Sequence, residues 1–169
     1  MKEVSKSILK KCKDIQIVLT DVDGVLTDGG MYYSADGDIM KKFHVRDGMG
    51  VNILKKIDIK TIIVTKEQTK IVKQWAKKMN ITKVYDGILD KQLILEKICK
   101  LYKINSKNVA FIGDDINDIP LLEKVGFSAT PNDGIDNAKR ICDYVCKNDG
   151  GHAVFREITD LIVYSKNIK

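Results

Sequence analysis

The sequence predicts an α/β fold, a three-layer αβα Rossmann-like domain built on a parallel sheet with a small β-hairpin insertion. Two observations lead to this prediction. Short β-branched runs alternate with longer amphipathic stretches along the chain, which is the pattern of right-handed βαβ units. The chain has 169 residues, 44% of them hydrophobic and 31% charged, which is the length and composition of one globular domain spanning residues 1–169.

Runs rich in β-branched and aromatic residues define the predicted strands. Core strands are expected at residues 15–20, 61–64 and 108–112, and shorter ones at residues 83–85, 127–129 and 143–145. A Gly-, Tyr- and Asp-rich segment predicts a loop followed by a hairpin, with strands at residues 31–33 and 40–45. Amphipathic stretches predict helices at residues 47–57, 68–79, 91–102, 119–125 and 153–164.

Charge and hydropathy argue against several classes of function. Lys and Arg total 29 against 23 Asp and Glu, a net charge of +6, but the lysines are scattered without interleaved aromatics, so a solvated surface is favoured over nucleic-acid binding. Every apolar run is much shorter than the roughly 18 residues that a membrane span needs. The first residues lack the apolar region of a signal peptide. We therefore expect a soluble, cytoplasmic protein whose four cysteines are reduced thiols.

Polar residues follow three of the predicted strands. Asp21, Thr65 and Asp114 each come shortly after a core strand, and the ligand sites of open parallel sheets lie at the carboxyl ends of their strands. Asp21 and Asp23 are two positions apart, and Gly24 permits the bend that would turn both carboxylates towards one pocket. Crowded carboxylates repel one another unless a cation joins them, and oxygen ligands suit Mg²⁺. The sequence therefore predicts a magnesium-dependent site at this edge.

The same residue types have defined roles in phosphoryl transfer. Asp21 is predicted to be the nucleophile that forms an aspartyl-phosphate. Asp23 is predicted to protonate the leaving oxygen and then to deprotonate the attacking water. Thr65 and Lys91 are expected to bind the transferring phosphoryl oxygens, where negative charge develops.

The string G-D-D-I-N-D at residues 113–118 adds further carboxylates at the end of the third core strand. Asp114 is predicted to hold Mg²⁺, with Asp115 as a further ligand or as a support of the ligands. Asn117 and Asp118 either cap the following helix or support the metal site. The pair D-x-D alone is equally typical of a turn with capping carboxylates, but its combination with this second string favours a chemical role.

These motifs resemble those of the haloacid dehalogenase superfamily of phosphatases. More narrowly, the chain resembles the 3-deoxy-D-manno-octulosonate 8-phosphate phosphatase group and its relatives that act on nine-carbon keto-deoxy sugar acids, the keto-deoxynononate 9-phosphate phosphatases. The resemblance covers residues 15–163 and rests on five strings: D-V-D-G-V-L-T-D-G at 21–29, F-H-V-R-D-G at 43–48, D-K at 90–91, G-D-D-I-N-D at 113–118 and G-G-H-A-V-F-R-E at 150–157. The second and the last are more specific than the general superfamily motifs.

The resemblance implies an enzyme that acts on a small sugar acid phosphate. Mg²⁺ would be bound by the side chains of Asp21 and Asp114 and by the backbone carbonyl of Asp23. The fold would lack a separate cap domain, and the hairpin near residues 29–45 and neighbouring subunits of a homotetramer would close the sites. Arg46 would lie near the substrate, supported by the tail at residues 150–151 of a neighbour.

One departure from the family pattern follows the second core strand. The family usually has Thr-Gly-Arg or Thr-Gly-Glu there, whereas this chain has Thr65-Lys66-Glu67. If that turn needs a positive φ, Lys66 would cost roughly 1 kcal/mol more than glycine. Glu67, with Lys78 further along the helix, resembles the nononate 9-phosphate relatives, whereas the octulosonate group typically has Arg in place of Glu67. Both substrates stay open, as does an exposed helix pair without a substrate role.

Two other functions are weighed on the same residues. A response-regulator receiver also surrounds an aspartyl-phosphate with acidic residues, a strand-end Thr and a Lys, but its phosphoacceptor lies in mid-chain and it lacks the second acid that Asp23 provides. A catalytically silent assembly domain, such as one found in some sialic-acid nucleotidyltransferases, would not need Asp21, Lys91 and Asp114 intact. A magnesium-dependent phosphatase is therefore favoured.

Overall fold

The computed structural model describes residues 4–168. Within that range the strands are β1 (Ile17–Thr20), β2 (Tyr32–Ser34), β3 (Gly37–Met40), β4 (Lys60–Val64), β5 (Lys83–Tyr85), β6 (Val109–Ile112), β7 (Phe127–Thr130) and β8 (Tyr144–Val145). The helices are α1 (Lys6–Lys13), α2 (Val45–Lys56), α3 (Lys70–Met79), α4 (Gln92–Tyr102), α5 (Ile119–Leu122), α6 (Asp136–Ile141) and α7 (Val154–Asn167). None of these helices has both the length and the apolar character that crossing a bilayer requires.

Six of the strands form one parallel sheet, in the order β5-β4-β1-β6-β7-β8. The other two, β2 and β3, pair antiparallel as a hairpin between β1 and α2. Helices cover both faces of the sheet, so the predicted three-layer α/β fold with a small hairpin insertion is confirmed.

The core has two halves because neighbouring side chains of a strand point to opposite faces. Ile17 and Leu19 of β1 lie in the cluster that is closed by α4, α5 and α6. Val18, between them, lies in the larger cluster that is closed by α1, α2, α3 and α7. All three side chains are buried, and each contributes on the order of 1.5–3 kcal/mol by leaving water.

Two helices are not predicted by the sequence pattern. In α1 the abundant lysines hide a narrow apolar face, of which Cys12 is buried, and the Ser5 hydroxyl caps the helix by accepting a hydrogen bond from the N–H of Ile8. In α6 only six residues are helical and only Ala138 is buried. Segments this short or this polar give too few apolar positions for a helical period to stand out.

Some predicted boundaries are wrong. The second hairpin strand is Gly37–Met40 and not 40–45, and α2 begins at Val45, two residues before its predicted start. His44 sets that start, since its Nδ1 accepts a hydrogen bond from the N–H of Arg46 at 3.2 Å. The helix predicted at 119–125 ends at Leu122. It is preceded by a turn of 3₁₀ helix, Ile116–Asp118.

The order of the strands brings the predicted site residues together. Strand β1 pairs with β4 on one side and with β6 on the other. Asp21 directly follows β1, Thr65 directly follows β4, and Asp114 comes two residues after β6. The three residues therefore lie side by side at the carboxyl edge of the sheet, as predicted.

Helix α7 begins against a carboxylate from another helix. Asp47 of α2 is fully buried, and its Oδ1 accepts a hydrogen bond from the N–H of Arg156 at 2.9 Å. Burial raises the pKa of Asp47 to about 7, although the N–H groups of Arg156 and Phe155 oppose that rise. The side chain of Ala153, at the N-cap position of α7, makes no capping bond. Asp47 therefore supplies the acceptor that the first turn of α7 needs.

We expect Asp47→Ala to lower the free energy of unfolding by about 1–2 kcal/mol, because α7 loses that acceptor. Urea denaturation measures the change. The control is Asp160→Ala, which removes a half-exposed carboxylate of the same helix that pairs with Arg156 one turn away. That loss should stay below about 0.5 kcal/mol, and equal losses in the two variants would refute the capping role.

Candidate active site

Three carboxylates meet at the carboxyl edge of the sheet. Oxygen atoms of Asp21, Asp114 and Asp118 all lie within 4.8 Å of one another. Asp21 and Asp118 are buried, and Asp114 is partly buried. Asp21 and Asp114 are therefore crowded together as the sequence predicts, but the third carboxylate of the cluster is Asp118 and neither Asp23 nor Asp115.

A buried ammonium group joins two of these carboxylates. The Nζ of Lys91 lies 2.7 Å from Oδ2 of Asp21 and 2.6 Å from Oδ1 of Asp118, and the lysine side chain is fully buried. Burial acts to lower the pKa of Lys91, but Asp21 and Asp118 oppose it and the net pKa is raised. Lys91 immediately precedes α4. It therefore stays charged and directs its ammonium group at the candidate nucleophile.

Asp118 is the site residue whose role the sequence leaves undecided. Its Oδ2 accepts hydrogen bonds from the N–H groups of Asp114 at 2.9 Å and of Asp115 at 3.3 Å, while its Oδ1 binds Lys91. It therefore fixes both the lysine and the loop that carries Asp114. The sequence shows that Asp118 belongs to the G-D-D-I-N-D string, but it does not distinguish a support of the metal site from a helix cap.

Asp115 lies outside the carboxylate cluster. Its side chain is exposed, and its Oδ1 accepts a hydrogen bond from the N–H of Ile116 at 2.7 Å, at the start of the 3₁₀ helix. This geometry supports a capping role. A direct role of Asp115 as a metal ligand stays a prediction that these contacts do not support.

The close approach of two loops explains why position 24 is a glycine. Its φ is +83°, and a Cβ atom there would lie 2.0 Å from Oδ2 of Asp114. Any side chain would therefore displace Asp114, in addition to the strain of a left-handed backbone. Gly24 lets the loop after β1 pass directly beside the loop after β6.

The negative charges of Asp21, Asp114 and Asp118 are only partly balanced by positive charges of the protein. Burial, followed by the charges of Asp21 and Asp118, raises the pKa of Asp114 to about 8. Burial and then Asp118 raise the pKa of Asp21 to about 7, against the opposing effect of Lys91. Oδ1 of Asp114 is buried without a hydrogen-bond partner among the described residues. An orphaned buried oxygen amid crowded carboxylates fits a hard divalent cation.

Asp23 is oriented by two side chains. The Nζ of Lys41 lies 2.6 Å from Oδ1 of Asp23, and the hydroxyl of Thr27 lies 3.3 Å from the same oxygen. Lys41 directly follows β3, so the hairpin reaches the candidate acid within one chain. No feature of the sequence singles out Lys41, because it is one of many lysines.

A cleft of ≈ 320 Å³ opens over the carboxylates. Predicted residues lining it are Asp21, Asp23, Thr65, Glu67, Asp114 and Asp115. Lys66 also lines the cleft. Among residues 4–168, the non-glycine positions with positive φ are Asp58, Asn80, Lys103 and Ala153. Lys66 adopts an ordinary backbone conformation, so the strain considered for this turn does not arise.

Three of the predicted substrate residues do not line this cleft within one chain. Lys91 lies beneath it, in contact with Asp21. Lys78 is exposed near the end of α3, and Arg46 is exposed in the first turn of α2. Neither lines the cleft. Glu67 and Lys78 therefore do not act as a pair in the cleft of a single chain.

The turn at residues 150–151 supports the loop of its own chain. The N–H of Gly151 donates to the carbonyl of Val25 at 3.0 Å. A Cβ on Gly150 would lie 2.1 Å from the carbonyl oxygen of Gly24. Both glycines therefore pack against the loop that follows Asp21 in their own chain. The support of a neighbour's Arg46 by this tail stays a prediction.

The fold is that of a known class of hydrolase. The family model for haloacid dehalogenase-like hydrolases matches residues 2–158. The chain therefore belongs to that family, which confirms the resemblance seen in its motifs.

Individual members of this family that resemble the chain are sugar acid phosphatases by name. The chain is 34% identical over 163 residues to the 3-deoxy-D-manno-octulosonate 8-phosphate phosphatase of Escherichia coli K12, covering 96% of this chain and 87% of the relative. The phosphatase of the same name from Moraxella catarrhalis, solved in complex with a magnesium ion, a phosphate ion and a KDO molecule, superposes with a TM-score of 0.94 at 32% identity, covering 97% and 94% of the two chains. A cobalt-bound octulosonate 8-phosphate phosphatase from Haemophilus influenzae gives 0.90 at 34% identity, covering 92% and 91%.

The raised carboxylate pKa values predict how a divalent cation stabilises the protein. Because the pKa of folded Asp114 is raised from 3.8 to about 8, its contribution to the metal-free fold is favourable below about pH 4 and is lost as the pH rises through 8. Mg²⁺ binds the ionised form. We therefore expect Mg²⁺ to raise Tm more at pH 8 than at pH 6.

Thermal denaturation with MgCl₂ against NaCl of equal ionic strength measures this difference. Asp114→Asn is the control and should remove most of the magnesium effect. A magnesium-induced shift in Tm that is the same at both pH values would contradict the titration of this cluster.

Proposed function

We propose that this protein is a magnesium-dependent phosphatase that hydrolyses a keto-deoxy sugar acid phosphate through an aspartyl-phosphate on Asp21. The observation that carries the proposal is the contact of Lys91 with Asp21 at 2.7 Å, inside a cluster of carboxylates that needs a cation. Hydrolases of the same family with this fold are named as phosphatases. A silent assembly domain would have no reason to keep these charges buried together.

The metal would be held by the side chains of Asp21 and Asp114 and by the backbone carbonyl of Asp23. When bound, Mg²⁺ supplies positive charge that offsets the negative charge of the carboxylates and of the phosphate. Lys91 supplies a further fixed charge beside the nucleophile, and Thr65 contributes its polar groups to the same cleft. The phosphoryl group would thus be surrounded by donors where its charge develops.

The reaction has two half-steps that use the same two carboxylates. In the first, an oxygen of Asp21 forms a bond to phosphorus as the ester P–O bond breaks, and Asp23 donates its proton to the departing sugar oxygen. In the second, water attacks phosphorus and gives its proton to Asp23, while the bond to Asp21 breaks. Inorganic phosphate leaves, and both side chains return to their starting states.

The leading substrate is an octulosonate 8-phosphate, since that is the substrate in the names of the relatives. A nononate 9-phosphate is the second candidate, because Glu67 lines the cleft. A carboxylate there can accept hydrogen bonds from additional sugar hydroxyls, whereas Arg would favour an anionic ligand group.

The decisive experiment measures phosphate release from both sugar phosphates in parallel, with Mg²⁺ and with EDTA. We expect release only with the metal and a kcat/KM that differs at least about tenfold between the two sugars. Asp21→Asn should reduce turnover at least about 1,000-fold while the protein stays folded, because an amide keeps the shape but cannot form an acyl phosphate.

Turnover that survives in Asp21→Asn would overturn the aspartyl-phosphate mechanism. Absence of metal-dependent release from either sugar phosphate, with the wild-type protein folded, would favour the assembly domain. Glu67→Arg adds a specificity readout: it should shift the ratio of kcat/KM towards the octulosonate if Glu67 contacts the sugar.

The proposal includes a homotetramer in a cytoplasmic setting. Large apolar side chains of the hairpin and of the first turns of α2 are more than half exposed, namely Met31, Tyr33, Ile39, Met40, Val45 and Met49. Exposed apolar surface of this kind is typical of interaction sites. Arg46 is exposed and adjoins Val45 of this apolar surface. In the proposed tetramer Arg46 would therefore contact the substrate bound in the cleft of a neighbouring subunit.

Sedimentation velocity tests this assembly. We expect a tetramer for the wild-type protein and a smaller species for the double variant Met31→Ser, Tyr33→Ser, because apolar contact area is lost. The matched control Leu101→Ser changes an exposed apolar residue of α4, far along the chain from the hairpin, and should leave the tetramer intact. A wild-type monomer at all concentrations would exclude the assembly.

A further inference from the structure

Lys41 is buried in a way that surface lysines are not. Its side chain is 2% exposed, and its Nζ lies 2.6 Å from Oδ1 of Asp23 and 3.4 Å from Oδ2 of Asp38. Burial acts to lower the pKa of Lys41, but Asp23 and Asp38 more than compensate, so that its pKa is raised. The residue is therefore a charged group removed from water, which is costly unless its partners are well placed.

The neighbouring Lys42 shows the ordinary alternative. Its side chain is 52% exposed and pairs with Asp28 at 2.8 Å. Such a solvent-exposed pair contributes little to stability. The two adjacent lysines thus differ in burial and in the carboxylate they contact, and they form a matched pair for experiment.

Both contacts to Asp23 use the same oxygen. Lys41 and Thr27 each lie against Oδ1, and Thr27 is itself buried. Asp23 lines the cleft, and its Oδ2 is the oxygen that neither Lys41 nor Thr27 contacts. Two contacts to one oxygen restrict the rotation of the Asp23 carboxylate. Proton transfer depends on how the acid is oriented towards the leaving oxygen.

Lys41 also ties the hairpin to the site. It directly follows β3, and its second partner, Asp38, lies within β3. Oδ1 of Asp38 is buried without a hydrogen-bond partner among residues 4–168, so Lys41 is the charge that compensates this carboxylate. One ammonium group therefore contacts both a carboxylate of the hairpin and the carboxylate of Asp23.

We propose that Lys41 is a positioning residue that orients Asp23 for proton transfer and couples the hairpin to the reaction. The inference rests on the proposed function, in which Asp23 protonates the leaving oxygen. It goes further in assigning a part of that step to the hairpin of the same chain.

The dependence of kcat/KM on the leaving group of the substrate tests whether Lys41 orients Asp23 for proton transfer. An alkyl sugar phosphate needs its leaving oxygen protonated, whereas p-nitrophenyl phosphate releases a stable anion and needs no acid. Since general acid catalysis contributes roughly 10²–10⁴-fold, Lys41→Met should lower kcat/KM for the better sugar phosphate by about 10–100-fold. For p-nitrophenyl phosphate the same variant should lower it less than about threefold. Lys41→Arg should retain most of the kcat/KM that Lys41→Met loses. Lys42→Met should leave kcat/KM unchanged for both substrates.

Equal losses of kcat/KM on both substrates would overturn the proposal, because a merely structural role of Lys41 would slow both reactions. The absence of a loss on either substrate would overturn it as well. The aryl ester also reports that the variant is folded. Failure of the proposed function is a separate result, since the wild-type protein would then release no phosphate from either ester.

A measurement without turnover tests the contact itself. The ¹⁵Nζ resonance of Lys41 in the wild-type protein is expected to be visible, because a buried, paired ammonium exchanges slowly with water. Asp23→Asn should shift or broaden it, and Asp28→Asn, which removes the partner of Lys42, should not. A Lys41 resonance that Asp23→Asn leaves unchanged would overturn the coupling.

Discussion

The site depends on one buried electrostatic arrangement, the ammonium group of Lys91 between Asp21 and Asp118. Removing these charges from water is expensive, and only short contacts at 2.7 and 2.6 Å make the arrangement tolerable. One ammonium group does not balance three carboxylates: burial, followed by the charges of Asp21 and Asp118, raises the pKa of Asp114, and its Oδ1 has no hydrogen-bond partner among the described residues. The folded protein is thus built around a deficit of positive charge beyond what Lys91 supplies, and the proposed Mg²⁺ would relieve it.

The remainder of the molecule holds this arrangement in place. A parallel sheet fixes the ends of β1, β4 and β6 side by side, and Gly24 allows two of the following loops to touch. Asp118 then connects the loop of Asp114 to Lys91. Each of these parts comes from a different stretch of sequence, so the geometry of the site is a property of the whole sheet edge. The hairpin adds a further layer by reaching Asp23 through Lys41.

Much of the fold and of the site follows from local patterns. Strand-end positions identify Asp21, Thr65 and Asp114, because the edge of a parallel sheet collects residues that follow its strands. Asp118 could not be separated from Asp115 in advance, since the choice depends on which carboxylate the 3₁₀ turn points inwards. The contact of Lys41 was equally hidden, because burial of one lysine among many is decided by tertiary packing. Helix α6 escaped prediction for a different reason, because it has six residues of which only Ala138 is buried, too few apolar positions for a helical period to stand out.

The packing of Gly150 and Gly151 on the loop after Asp21 has a consequence for how the enzyme is made. Asp21 and the turn that supports its loop are separated by more than 100 residues of the chain. A chain interrupted before residue 150 would carry Asp21, Asp114 and Lys91 but would lack the surface against which the loop of Asp21 rests. During synthesis this loop therefore gains its support only after residue 151 has been added, and a shorter fragment holds the same carboxylates without it.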